Sequence, residues 1–231
     1  MIVELVWDSK LFKKKIGKLT KVPSEMRLKR LINQAYEEGY SYLTCRIIEG
    51  RIADIQRLEA FRFYTTDIGI VWERKTDGIA LREGDPVRVA DKRDAAALKS
   101  MASGLFLDSR FYHDPFFTGE DAEKAYHRWV DNALRDKLQK TFLVDGSGFI
   151  TCKKLSDNDG DISLIGVVSQ KQGKGIGHNL TSKAFDWFSN EGLTNVTVRT
   201  QATNTRAMNF YAGLGFRVKY MDTTMGLILK K

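Results

Sequence analysis

A glycine-rich segment in the C-terminal third of the chain joins residue types that suit the binding of a pyrophosphate. An apolar, strand-like run ends at Val168, and a basic turn with three glycines then leads into a helix-forming stretch. Backbone N–H groups and the positive end of the helix dipole would meet at this point, which is how helix N-termini hold phosphates. The candidate cofactor-binding residues of this segment are Val167, Val168, Gln172, Gly173, Lys174, Gly175, Ile176 and Gly177.

Two common phosphate-binding motifs do not fit the spacing of this segment. A P-loop requires G-x-x-x-x-G-K-[ST], but Val168 stands at its first glycine position and Gly175 follows Lys174. A dinucleotide fingerprint requires G-x-G-x-x-G, and His178 occupies its third glycine position. What remains is the pattern Q-x-x-G-x-G that begins at Gln172. On this loop alone, a plain strand-to-helix connection without a ligand is the alternative.

A second motif follows one strand later and supplies a proton donor. Asn204, Ala207 and Tyr211 lie at positions i, i+3 and i+7, so on a helix they share one face. Gly215 is placed to end this helix in the left-handed conformation. A phenol with a pKa of about 10 can donate a proton to a leaving group of similar basicity, which makes Tyr211 a candidate general acid. A tyrosine that packs in the core with its hydroxyl at the rim is the alternative.

Together the two motifs resemble those of the GNAT N-acetyltransferase superfamily. The loop matches the pattern Q/R-x-x-G-x-G/A, and residues 204–216 match N-x-x-A-x-x-F-Y-x-x-x-G-F. The resemblance implies the GNAT fold, an α/β (α+β) structure with a mixed, largely antiparallel central sheet, and acetyl-CoA as the co-substrate. It also implies that Tyr211 is catalytic and that Asn204 and the loop bind the cofactor. We expect the strand edge at Val167 and Val168 to bond the pantetheine arm, and one of these amides to polarise the thioester oxygen.

The composition narrows the class of protein and of ligand. The chain has 231 residues and a formal net charge of +8, and it contains no apolar run of about 18 residues and no signal-peptide pattern. We therefore expect a cytoplasmic protein without a membrane partner. The two cysteines, Cys45 and Cys152, and the three scattered histidines lack metal-site spacing, so no metal is expected. We interpret the basic run at residues 13–15 as a solvated surface rather than as a contact with nucleic acid.

The order of predicted elements divides the chain into three parts. Residues 1–74 form an N-terminal domain, residues 75–86 a polar linker with glycine and proline, and residues 87–231 the catalytic acetyltransferase domain. Within the last part, the patterns predict β-αα-βββ-α-β-α-β, with a first helix from Asp91 to about Leu105. This is the element order of a GNAT domain.

The N-terminal domain parallels the second half of the catalytic domain. A gapless offset aligns Glu38-Gly39 with Glu191-Gly192 and Phe63 with Phe216, and an amphipathic helix precedes each copy. We interpret residues 1–74 as a degenerate half-GNAT repeat. The same offset places Arg51 opposite Asn204 and Leu58 opposite Tyr211, and it places no glycine opposite the loop glycines. This repeat is therefore expected to bind no CoA and to complete one wall of the acceptor site.

An aromatic segment between the first two predicted helices of the catalytic domain is the candidate acceptor site. Aromatic rings can stack on a base or sugar, and a guanidinium can bind a phosphate; a hydrophobic loop that simply packs is the alternative. We assign no general base, because a water relay can remove the proton. The candidate substrate-binding residues are Arg110, Phe111, His113 and Asp114.

Several further stretches resemble the dTDP-fucosamine acetyltransferase family. They are the Trp7-Asp8-Ser9 element, the half-repeat, the aromatic segment and the stretch from Tyr126 to Ala133. The resemblance implies acetylation of the 4-amino group of a nucleotide-linked (dTDP) 4-amino-4,6-dideoxy sugar, a small-molecule acceptor. Acetylation of another amine (a protein N-terminus, a polyamine or an aminoglycoside) and a non-catalytic CoA-binding domain are the alternatives. The sequence leaves open whether the chain forms a homodimer.

Overall fold

The computed structural model describes residues 1–80 and 83–229. The strands are β1 (Ile2–Glu4), β2 (Ile16–Leu19), β3 (Tyr42–Ile48), β4 (Tyr64–Lys75), β5 (Arg88–Val89), β6 (Gln139–Val144), β7 (Gly148–Lys154), β8 (Asp159–Val167), β9 (Asn195–Gln201) and β10 (Arg217–Ile228). The helices are α1 (Val6–Phe12), α2 (Glu25–Glu37), α3 (Ile52–Ala60), α4 (Ala95–Ala102), α5 (Arg110–His113), α6 (Gly119–Arg135), α7 (Ile176–Asn190) and α8 (Thr205–Gly213).

The strands form a single mixed sheet in the order β1-β2-β3-β10-β4-β9-β8-β7-β6-β5. The pairs β2·β3 and β8·β9 are parallel, and the other neighbouring pairs are antiparallel. Each parallel pair is joined through a helix, as a parallel connection requires. The prediction of a mixed, largely antiparallel sheet is confirmed.

The internal repeat is visible in the element bounds. Under the offset that carries Tyr42 onto Asn195, β3, α3 and β4 coincide end to end with β9, α8 and β10. The last strands of the two halves are exchanged, because β10 lies between β3 and β4 while β4 lies between β10 and β9. Residues from both halves therefore meet in the middle of one continuous sheet.

Helices cover both faces of the sheet. Along β6, Phe142 and Val144 pack with α7 and α8, whereas Leu143 points the other way and packs with α4 and α6. Along β3, Leu43 packs with α2 and α3, whereas Tyr42 packs with α1, α5 and α6. The face that carries Tyr42 and α5 is called the acceptor face below, because it includes the segment predicted to bind the acceptor.

Three parts of the chain differ in detail from expectation. The helix predicted from Asp91 to about Leu105 is a 3-10 turn over Lys92–Asp94 followed by α4, which ends at Ala102. The aromatic segment contains a helical turn, α5, rather than a plain loop. In the predicted linker, residue 75 belongs to β4 and residues 81–82 lie outside the described residues. The division into domains at residues 75–86 stays a prediction.

Candidate active site

An opening between β8 and β9 forms the centre of the site. The two strands pair only from Asp159–Asn195 to Ile162–Val198. At this point β8 carries a β-bulge, because Ile162 and Leu164 have partners in β7 and Ser163 between them has none. A bulge increases local twist and bends its strand, so β8 turns away from β9. The edge of β8 from Ser163 to Val167 is therefore without a partner strand on the β9 side.

The glycine-rich loop lies at the far end of this opening. After a 3-10 turn over Ser169–Lys171, Gly173 and Gly175 adopt φ values of +76° and +79°. L-residues with a side chain rarely adopt this left-handed conformation, so the turn depends on glycine. Helix α7 follows directly, with Gly175 at its N-cap position and no side-chain cap. The predicted strand–loop–helix arrangement is present.

Gln172 braces the loop against the elements on both sides. Its Nε2 donates to the carbonyl of Val167 at 2.9 Å, and its Oε1 accepts from Arg206 on α8. Together with Lys171 and Lys174, Arg206 places basic side chains beside the N-terminus of α7. This end of the opening therefore combines backbone donors, a helix dipole and positive charge, which suits a pyrophosphate.

Helix α8 forms the opposite side of the opening. Asn204 precedes the helix as its N-cap, and its Oδ1 accepts from the N–H of Ala207 at 2.9 Å. The expected placement of Asn204 on the helix itself is therefore wrong, since the residue begins the helix instead. Tyr211 lies two turns further on, is 3% exposed and packs beside Trp72 and Phe216. Burial, with the nearby Asp161 carboxylate, raises the pKa of Tyr211 above its usual value, so the phenol stays protonated at neutral pH.

A cavity of about 1060 Å³ connects these features. Its lining includes most of the residues predicted to bind cofactor or to act in catalysis: Val167, Gln172, Gly173, Gly175, Ile176, Gly177, Asn204 and Tyr211. Lys174 and Val168 are outside the lining. Both backbone groups of Val168 are engaged, because its N–H donates to Ser147 and its carbonyl accepts from Lys171. Its amide is therefore not available to polarise a thioester, so of the two predicted amides only that of Val167 stays a candidate.

The cavity passes through the opening and continues onto the acceptor face. Arg110 and Phe111 line it there, as the sequence predicts for substrate-binding residues. His113 is exposed and does not line the cavity. Asp114 is buried beneath it, at 2% exposure. Two of the four predicted acceptor residues are thus brought together at the cavity wall.

Asp114 has a clear structural task in its buried position. It accepts hydrogen bonds from the hydroxyls of Tyr42 and Tyr64, the latter at 2.8 Å, and from the N–H of Phe116 at 3.0 Å. Tyr42 and Tyr64 belong to the N-terminal half of the chain, residues 1–74. Asp114 therefore ties the aromatic segment to that half and holds α5 over the acceptor face.

Sequence reasoning missed a row of charged residues on the acceptor face. Arg46, Asp222, Asp67 and Arg199 lie on the neighbouring strands β3, β10, β4 and β9, and three of them, all except Asp222, line the cavity. The repeat carries one signal of this row, because its offset aligns Arg46 with Arg199. A second signal is that charged residues stand inside strands, where a charged side chain is rarely buried without a partner.

Within residues 1–80 and 83–229, no group of three or more histidine, cysteine, aspartate or glutamate side chains is arranged to hold a metal ion. Over the same residues, no helix has the length and apolar character needed to cross a membrane.

Comparison with known proteins connects this geometry to a family. The model of the "Acetyltransferase (GNAT) family" matches residues 106–216. The chain is 30% identical over 137 residues to dTDP-fucosamine acetyltransferase of Escherichia coli, covering 57% of this chain and 58% of that protein. It is 24% identical over 234 residues to the spore coat polysaccharide biosynthesis protein SpsD of Bacillus subtilis, covering 91% of this chain and 77% of that protein.

Solved structures show the same fold. A functionally unknown conserved protein from Staphylococcus epidermidis has a TM-score of 0.70 at 10% identity, covering 92% of this chain and 83% of that one. A tandem GNAT protein from the clavulanic acid biosynthesis pathway has a TM-score of 0.63 at 11% identity, covering 94% and 76%. The matched residues 106–216 contain the glycine loop, the β8–β9 opening and Tyr211. Through these residues the chain is similar to acetyltransferases of the GNAT family.

Proposed function

We propose that this chain transfers an acetyl group from acetyl-CoA to the 4-amino group of a nucleotide-linked 4-amino-4,6-dideoxy sugar. The observation that carries the proposal is the single cavity that joins the glycine loop to the acceptor face through the β8–β9 opening. The names of the two relatives, a dTDP-fucosamine acetyltransferase and a polysaccharide biosynthesis protein, support an amino-sugar acceptor.

The cofactor part of the cavity suits CoA in shape and charge. The first turn of α7 and the loop glycines would bind the pyrophosphate, with Arg206 and Lys171 beside it. The unpaired edge of β8 would bond the extended pantetheine arm as an added strand would. A side chain at Gly175 would strain this cradle, because its φ of +79° disfavours any residue with a Cβ.

Acetyl transfer needs an attacking amine and a protonated leaving group. The neutral amine attacks the thioester carbonyl, a C–N bond forms, and the C–S bond breaks. Tyr211 gives its phenolic proton to the departing sulfur, and the proton lost by the amine passes to solvent. Burial raises the pKa of Tyr211, so the phenol carries its proton at neutral pH. No side chain is assigned as general base.

The proposal extends to the setting of the reaction. The acceptor is a small molecule, nucleic acid and membrane have no part in the reaction, and the protein acts in the cytoplasm. Other amines, namely a protein N-terminus, a polyamine or an aminoglycoside, are the competing acceptors. A domain that binds CoA without turnover is the competing non-enzymatic function, and a proton donor at Tyr211 argues against it.

Release of the CoA thiol tests these alternatives directly. The protein is incubated with acetyl-CoA and dTDP-4-amino-4,6-dideoxygalactose, spermidine or an N-terminal peptide, and free thiol is measured over time. We expect thiol release with the amino-sugar nucleotide alone. Release with spermidine or peptide alone would contradict the proposed acceptor, and CoA binding without release for any amine would favour a non-catalytic domain.

A further inference from the structure

The two arginines of the charged row on the acceptor face differ in how closely they pair with its two aspartates. Arg199 takes both carboxylates: its Nε and Nη2 donate to Asp222 at 2.9 and 2.7 Å, and its Nη2 also donates to Asp67 at 2.7 Å. Gly69 makes this possible, because a Cβ at that position would overlap the guanidinium. Arg199 is thus an internal link of the sheet, and its charge is compensated within the protein.

Arg46, its counterpart in the N-terminal repeat, is compensated far less. Its Nε lies 3.6 Å from Asp222, beyond hydrogen-bond distance, and its side chain is 43% exposed. Within the described residues, no hydrogen bond joins Arg46 to a carboxylate. Arg46 is one of the residues that line the cavity, so its N–H donors lie close to the space in which an acceptor would bind.

A second guanidinium strengthens the positive charge at this place. Arg110 on α5 lines the same cavity and packs over the ring of Phe111 at 4.7 Å. Burial, then Arg199 and Arg110, lower the pKa of Arg46, with Asp222 and Asp67 opposing. The two arginines and two aspartates of the row balance in charge, and Arg110 adds one positive charge beside Arg46, with Asp8 near it. Asp108 is the other acidic residue of the lining, and its side chain is exposed.

We propose that Arg46, together with Arg110, binds an anionic group of the acceptor, a phosphate or a carboxylate on the molecule whose amine is acetylated. The proposal rests on the proposed function for the identity of the site, but it concerns residues outside the cofactor motifs. A guanidinium suits such a group because its fork of donors matches two oxygens at once. The N-terminal half, which lacks the glycine loop, would then determine which acceptor is used.

Binding of two anionic probes tests this assignment. Saturating CoA fills the cofactor part of the cavity, and dTDP or D-glucuronate is then titrated by calorimetry into the wild type and Arg46→Gln. We expect at least one probe to bind, and Arg46→Gln to weaken its binding by about ten- to hundredfold, the effect of losing a charge-assisted bidentate contact. Arg46→Lys should recover part of the affinity. The probe that binds identifies the phosphate or the carboxylate as the recognised group.

Arg51→Gln is the matched control, since Arg51 belongs to the same half but pairs with Asp54 at the surface. Unchanged melting temperature shows that Arg46→Gln is folded. The assignment is overturned if neither probe binds the wild type, or if Arg46→Gln binds them equally well. Measuring thiol release separates this outcome from a failure of the proposed function. If the protein acetylates an amino-sugar nucleotide but binds the anionic probes independently of Arg46, only the assignment of Arg46 is wrong. Arg46-dependent binding without turnover for any amine removes the proposed function alone.

Discussion

The sheet contains the same parallel strand pair twice, and only the C-terminal copy is open. In the N-terminal half, β2 pairs with β3 along all four of its residues, Ile16–Leu19. In the C-terminal half, β8 has nine residues but its pairing with β9 ends at Ile162, where the bulge begins. The ligand cavity thus comes from a longer strand and one unpaired residue rather than from the fold, which both halves share.

The connections that follow these strands differ in the same way. Gly173 and Gly175 adopt left-handed conformations before α7. Thr20 and Val22 stand at the corresponding positions before α2, and neither has a positive φ. The N-terminal connection therefore cannot turn its backbone donors toward a phosphate in this manner. We therefore propose that the C-terminal half binds the cofactor and that the N-terminal half forms one wall of the acceptor site.

The largest effect on turnover is expected at Tyr211, because α8 carries this phenol where α3 carries Leu58. Tyr211→Phe should lower turnover by about ten- to ten-thousandfold, the usual size of general-acid catalysis, and leave the Kd for CoA nearly unchanged. Leu58→Met at the corresponding position of α3 is the control and should leave turnover intact. Equal turnover in wild type and Tyr211→Phe would take Tyr211 out of the mechanism.

A large loss of stability is expected where the halves join. Asp222→Ala removes a carboxylate that is 1% exposed and leaves Arg199 with half of its partners. Breaking a buried pair in this way costs about 3–5 kcal/mol of unfolding free energy, measured by urea denaturation. Asp145→Ala, which breaks a pair at the surface with Arg88, should change the stability far less, because solvent screens an exposed pair. Similar losses in the two variants would show that the row contributes little to joining the halves.

A smaller effect is expected when alanine replaces a glycine of left-handed conformation, and the result should differ between the two halves. Gly175→Ala forces a side chain into the left-handed region at a cost of about 1–2 kcal/mol, and we expect CoA affinity to fall by about tenfold. Gly39→Ala, at the end of α2 with a φ of +78°, carries the same backbone strain far from the loop. It should lower the melting temperature without changing CoA affinity. If both variants weaken CoA binding equally, the loop is not its site.

The smallest effect is a pH dependence at the paired end of β8. Burial raises the pKa of Asp161, with Ser163, Thr197 and Lys153 opposing. A carboxyl whose pKa is raised on folding favours the folded state below its unfolded pKa, about 3.8, and this contribution is lost as the pH rises through the folded value. Asp161→Asn should therefore raise the melting temperature at neutral pH, and the gain should shrink toward acid pH. A gain that does not change with pH would contradict this cause.

The sequence predicts well what is local and poorly what joins distant parts. The hairpin turns and helical periodicity give the element order of residues 87–231, and the glycine pattern gives the loop before α7. The exchange of β4 and β10 is not readable in this way, because the pair Cys45–Met225 spans most of the chain. For the same reason the row of Arg46, Asp67 and Arg199 was missed: its members meet only across strands.

The exchanged strands also constrain how this chain can be made. When the first half has left the ribosome, β3 still lacks its neighbour β10, and β4 lacks both of its neighbours, β10 and β9. Both strands therefore present unpaired edges. Those partners follow all the other strands in the sequence, so the long-range pairings that complete the sheet form only after residues 195–228 have been synthesised. Cutting the chain between its repeats would thus separate two fragments that each hold the other's missing strand. We expect these fragments to recombine into one protein when they are expressed together.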